Sequence, residues 1–138
     1  MAAQNLWGQI PSTGSIRAPI LILREQAGLL GQATNNILQG DVTILKQRDY
    51  SITGGIVREY DFQVTLSIVA PALDNYRIAI VQVLHGIKIY PLTVRNLTNN
   101  TENDCGDEVS FLNAIREILS SEETHRIIQS LLAQSEAA

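Results

Sequence analysis

Among the side chains of this 138-residue chain that can carry chemistry, His85 is the most conspicuous. It lies in the most apolar run, residues 76–94 (YRIAIVQVLHGIKIYPLTV), and Gly86 follows it at once. Histidine changes charge near neutral pH and can act as general acid, general base or metal ligand. Hydrolase-type catalysis would need companions, and Ser67, Asp61, Asp74 and Cys105 are those that folding would have to bring to it. None stands in a nucleophile-elbow, zincin or cysteine-hydrolase context, and no phosphate-cradling or dinucleotide-binding glycine pattern occurs. A turn accounts for His85 more simply. Beside glycine a histidine takes a positive φ more readily than a β-branched residue, and its ring can cover a sheet end. His125, among Glu122, Glu123 and Arg126, reads as part of a solvated helix face. The reading leans away from an enzyme, and no catalytic residue is assigned.

A second constellation is a pocket built from Arg58, Tyr60, Tyr76, Arg77, His85 and Tyr90, all in or beside the expected β region. Eight of the ten basic residues are arginine, whose planar fork suits carboxylate or phosphate, while tyrosine can stack on a base. Such a pocket would hold a phosphate-containing metabolite or nucleotide. The competing reading packs the tyrosines at the sheet boundary and pairs the arginines with Glu59, Asp61 or Asp74. Cys105 is the single cysteine, so no intrachain disulfide or Cys-based zinc site is encoded, and no metal or other cofactor is expected. Residues 96–108 (NLTNNTENDCGDE) read as a polar, acidic loop. Its Asp104, Asp107 and Glu108 lack EF-hand spacing and suit the start of the next helix.

The elements that must position these groups follow from periodicity. Residues 1–17 read as a flexible N-terminal tail with Leu6, Trp7 and Ile10 as apolar anchors; Trp7 either clips the tail to the body, the preferred reading, or engages a partner. Pro19 opens a helix running to about Asn35, and Gly28 and Gly31 within it suggest close approach of another backbone. From Val42 the period becomes that of strands. Gly54-Gly55 marks a hairpin, and a three-residue loop aligning Val42 and Ile44 with Ile68 and Leu66 is preferred. Alternation over 59–70 gives a strand with one wet face, which favours an antiparallel sheet. Residues 76–94 then form two strands folded at His85-Gly86 or one bent there, with Leu84, Gln82 and Ile80 sharing a face with Ile87, Ile89 and Pro91 if folded. Two helices close the chain, divided at Ser120-Ser121, with Ser120 and Glu123 spaced as a capping box. The expected fold class is α+β: an antiparallel sheet of about four strands with one N-terminal and two C-terminal helices, residues 18–138 forming a single domain.

A net charge of −4 and pI near 5.0 argue against a nucleic acid polymer as partner. No apolar run is long enough to cross a bilayer and the first twenty residues do not read as a secretory signal, so a cytoplasmic location without a membrane partner is expected. The last helix carries a stripe of Ile127, Ile128, Leu131 and Leu132 that exceeds what one sheet face requires. A homodimer through residues 121–135, or docking of another protein there, would use it; the competing reading is intramolecular packing of all three helices. The leading expectation is a non-enzymatic protein-binding module of the inhibitor, immunity/antitoxin-like or adaptor kind. A small-molecule binding protein using the Arg/Tyr pocket comes second, and a hydrolase-type enzyme using His85 third.

Overall fold

The computed structural model describes residues 3–46, 50–52, 55–57 and 60–138. Helix α1 (Pro19–Ala33) starts with proline in its first turn, where a missing N–H costs nothing. Thr34 ends it: the Thr34 hydroxyl lies 3.0 Å from the carbonyls of Leu30 and Leu38, and Asn35 and Asn36 follow with left-handed φ of 53° and 63°. Such a turn satisfies the last carbonyls and reverses the chain into the sheet.

Five strands, β1 (Gln39–Lys46), β4 (Phe62–Ala70), β5 (Tyr76–His85), β6 (Leu92–Asn96) and β7 (Thr101–Cys105), form one antiparallel sheet in the order β1-β4-β5-β6-β7. The short strands β2 (Tyr50–Ile52) and β3 (Gly55–Val57) pair separately. Helices α2 (Glu108–Leu119) and α3 (Glu122–Ala137) follow, so the α+β class and the helix order are those the sequence predicts, with five strands in the main sheet instead of four.

The additional strand is β7, inside the segment expected to be a loop. Asn96 Oδ1 accepts hydrogen bonds from the Thr98 backbone and hydroxyl, Asn99 Oδ1 does the same for Thr101, and Asn100 takes a left-handed φ of 59°. These side chains build the reversal that returns β7 beside β6. Its first four residues are exposed, which is why no apolar alternation marks it.

Three other expectations are corrected. Val42 pairs with Leu66 and Ile44 with Val64, two residues from the preferred alignment, and Gly55 belongs to β3 opposite Ile52. A two-residue slip keeps every side chain on its face, so burial patterning alone does not distinguish the two registers. In residues 76–94 the reversal is not at His85-Gly86. β5 runs through His85, which faces Leu92, while Val83 faces Val94 and residues 86–91 form the connection. Proline cannot donate to a ladder, and Pro91, in a cis peptide with Tyr90, stands just outside β6. The positive φ expected of His85 falls on Ile89 instead, at 72°. That conformation costs a β-branched residue roughly 1–2 kcal/mol, offset by packing of the Ile89 side chain against the core.

All three helices cover one sheet face. Ile22 and Leu23 of α1, Phe111, Ile115 and Ile118 of α2 and Leu131 of α3 are buried with Val64, Leu66, Ile68, Val81, Val83 and Val94. Asp107 caps α2 by a reciprocal pair, its carboxylate accepting from the Ser110 N–H at 2.9 Å while the Asp107 N–H donates to the Ser110 hydroxyl at 3.3 Å. The Ser110 N–H, and then the Ser110 hydroxyl, which lies 2.8 Å from the same carboxylate oxygen, hold the Asp107 carboxyl below its ordinary pKa. At the next junction Ser121, not Ser120, caps α3, accepting from the Thr124 N–H at 3.2 Å.

The close backbone approach expected at Gly28 and Gly31 is found mainly elsewhere. A Cβ at Gly40 of β1 would lie 2.5 Å from both Cα and Cβ of Ala27, where α1 presses on the sheet. At Gly31 a Cβ would meet Asn36 Oδ1 at 3.2 Å, and at Gly28 it would meet nothing within 4 Å. Gly40→Ala should therefore destabilise the protein by about 1–3 kcal/mol through overpacking. Gly28→Ala, on an exposed helix face, should stabilise it by about 0.5–1 kcal/mol. Urea denaturation of the two variants, read as opposite shifts in midpoint, checks both.

Candidate functional site

His85 closes β5 on the helix side of the sheet, 8% exposed, with its ring stacked on Phe62 at a centroid distance of 5.1 Å. Its Nδ1 lies 2.9 Å from the Gly86 carbonyl oxygen, a contact that a hydrogen on Nδ1 satisfies. Asp61 adjoins it through the backbone: the Asp61 N–H donates to the His85 carbonyl at 3.2 Å, and the Asp61 carboxylate accepts the Ile87 N–H at 3.0 Å. The backbone is thus stitched around His85.

The other proposed companions lie apart. Cys105 stands opposite Leu92, which stands opposite His85, so two strand spacings, about 10 Å, separate cysteine from histidine. Burial pushes the Cys105 thiol above its ordinary pKa, against a lowering hydrogen bond with Ser110, and neighbouring Asp104 and Asp107 add to the rise. A thiol so placed is a packing group and a poor nucleophile at neutral pH. Ser67 lies at the bulge where the β4–β5 register shifts, and Asp74 lies in the turn before β5, at the far end of that strand from His85.

The described residues expected to share one pocket are distributed over four places. Tyr60 and His85 line a cavity of about 480 Å³ together with Thr93, Arg95, Glu102 and Asp104. Tyr76 lines a groove of about 500 Å³ against Arg126, Ile127 and Gln134 of α3. Arg77 is ion-paired with Asp41 of β1, a partner the sequence reading did not name. Tyr90 packs against the core beside the start of α2. Arg58 lies outside the described residues. The single Arg/Tyr pocket expected from the sequence is therefore not assembled from the described members of that set. Tyr76 and Arg77 show why: neighbours along a strand project from opposite faces.

The wet face was expected; what sequence reasoning missed is the set of cross-strand pairs that it carries. Arg95 Nε donates to Glu102 Oε1 at 2.7 Å and Arg95 Nη1 to Gln82 Oε1 at 3.1 Å, Gln82 reaches Thr65 at 3.4 Å, and the Thr93 hydroxyl donates to Asp104 at 2.9 Å. These rungs cross β4, β5, β6 and β7. The signal was available in the symmetric placement of Arg95 with Glu102, and of Thr93 with Asp104, about the asparagine-rich turn. It went unread because that segment carries no apolar alternation.

The expected association surfaces also divide. Leu131 is buried, and Ile127, Ile128 and Leu132 are half-buried and packed against the core, so much of the α3 stripe is used within the chain. Trp7 is the reverse. The expected clip onto the body is not formed: Leu6 and Trp7 are each 84% exposed and Ile10 is 67% exposed. Residues 3–18 contain neither helix nor strand. Among the described residues, no group of three or more His, Cys, Asp or Glu side chains is placed to hold a metal ion, and no helix is long and apolar enough to cross a membrane.

Comparison of the chain with protein-family models, with characterised proteins and with solved structures finds no match.

One buried group yields a pH test. The Tyr90 hydroxyl is buried without a hydrogen-bond partner among the described residues, and burial, followed by the charges of Glu108, Cys105 and Asp107, pushes its pKa from 10.0 up to about 12. Between those values the folded chain keeps a proton that the unfolded chain has lost, so this group's stabilising contribution, complete below pH 10.0, is lost as pH rises through about 12. Tyr90→Phe should be neutral or stabilising by up to about 1 kcal/mol near pH 7, because it deletes an unsatisfied hydroxyl. It should also flatten the alkaline limb of stability against pH, both effects being read by chemical denaturation.

Proposed function

We propose that this chain is a protein-binding module with no catalytic role of its own, of the inhibitor, immunity/antitoxin-like or adaptor kind, acting through its N-terminal segment. The carrying observation is the exposure of Leu6, Trp7 and Ile10 in one short stretch outside the packed domain. A tryptophan flanked by aliphatic side chains and open to solvent has the composition of a binding hot spot, where a few large side chains supply most of the affinity. The polar rungs of the sheet support the same reading. Arg95 and Arg77 are already engaged by carboxylates, which leaves less cationic capacity for a small anion. Glu102 and Asp104 line the cavity that holds Tyr60 and His85, and negative charge there opposes a phosphate. The pocket reading therefore ranks second, and catalysis by His85 third, its ring stacked on Phe62 and the Asp61 carboxylate engaged by backbone.

The test is an affinity measurement. A binding partner recovered with the full chain from its native cells is purified and titrated against the wild type and Trp7→Ala. The expected result is a loss of roughly thirtyfold or more in affinity, equivalent to a hot-spot truncation of about 2 kcal/mol. The melting temperature should be unchanged, since Trp7 supports no packing in the domain. Equal binding by Trp7→Ala would remove the N-terminal segment from the proposal.

A further inference from the structure

Two apolar features of this chain stand uncovered together. One is the N-terminal segment with Leu6, Trp7 and Ile10. The other is a cleft of about 230 Å³ between α1 and α3, floored by Leu66 and Ile68 of β4 and walled by Ala27, Leu30, Ala33 and Ile128. Aliphatic cavities of about 150 Å³ accept a benzene ring, so this cleft has room for a bicyclic aromatic side chain. Gln26 stands at its margin, and an indole N–H entering an apolar site needs such an acceptor. Leu29, more than half exposed, continues the apolar surface beyond the cleft.

We infer that the partner of the N-terminal segment is a second copy of this chain, with Trp7 of each copy seated in the α1–α3 cleft of the other. This rests on the reading that the segment is a binding element, and it assigns the surface that receives it. Within one chain the segment is fastened at its base by the Arg17–Glu25 ion pair at 2.6 Å and runs on without covering the cleft. A two-fold axis makes the exchange reciprocal: one operation covers two segments and two clefts and leaves no open end for further growth. One indole contributes about 150–250 Å². With Leu6 and Ile10 against Leu29, counted on both copies, the contact reaches the order of 1,000 Å² that a specific interface requires.

Trp7 is the only tryptophan, so its emission reports its own surroundings. Sedimentation velocity and tryptophan emission are followed through a dilution series of the full chain, of Trp7→Ala and of Ala33→Glu, which places a charge on the exposed cleft wall. The expected result is a wild-type dimer whose emission shifts to the blue as it forms, with self-association weakened at least about tenfold in each variant. Mixing the two variants should restore one arm: the tryptophan of Ala33→Glu enters the intact cleft of Trp7→Ala, and its emission moves to the blue. A dimer that survives Trp7→Ala, a blue emission independent of concentration in a monomer, or no shift on mixing would each overturn the exchange. A wild-type monomer that still binds another protein through Trp7 would overturn it and leave the protein-binding reading standing. A monomer whose binding ignores Trp7 would end both.

Discussion

The contact between Ala27 and Gly40 sets the geometry on which much else depends. At that point α1 lies so close to β1 that no Cβ fits between them, which fixes the height and lateral position of the helix over the β1–β4 half of the sheet. Lowered there, α1 buries Ile22 and Leu23 in the core, and its outer half faces α3 across a gap. α2 lies over the β5–β7 half of the sheet and α3 packs against the β4–β5 connection, while α1 is seated over β1 and β4, and the cleft lies between α1 and α3.

The other constraint is that the sheet is covered by helices on one side only. Its helix-facing side is mainly apolar and supplies the core, whereas the opposite face carries its own cross-strand partners, Arg77 with Asp41, Arg95 with Glu102 and Thr93 with Asp104. Exposed ion pairs of this kind contribute little stability individually. In both ion pairs the guanidinium and the carboxylate come from different strands of the sheet. Chemistry at His85 is restrained by an aromatic neighbour and by backbone groups that occupy Asp61.

What could be read in the sequence divides along physical lines. β4 was legible because one face is apolar and mostly buried while the other is mostly polar and half-buried, so alternation is imposed on the residues themselves. The stripes of α2 and α3 were legible for the corresponding reason at helical period. β7 was not, because a strand whose first four residues meet solvent has no apolar signature. The β1–β4 register escaped because slips of two residues preserve every face. The candidate site fared worse than the fold. Tyr76 and Arg77 are adjacent in sequence and part company on folding, and Tyr90 packs against the core away from the cavity of Tyr60 and His85. Trp7 was noticed, but whether a tail residue packs on its own body depends on tertiary shape, which local composition does not contain.

The two borders of the sheet have a bearing on solubility and on how copies of the chain can meet. A strand with one unpaired side is a template for adding another strand, and β7 presents Glu102 and Asp104 at such a border while β1 carries Asp41 and Lys46 at the other. A neighbour approaching edge to edge would have to place its backbone among these charges and their water. Fibrous growth by ladder extension is thereby discouraged, and association is left to side chains, where it can be specific and can stop at a definite number of subunits.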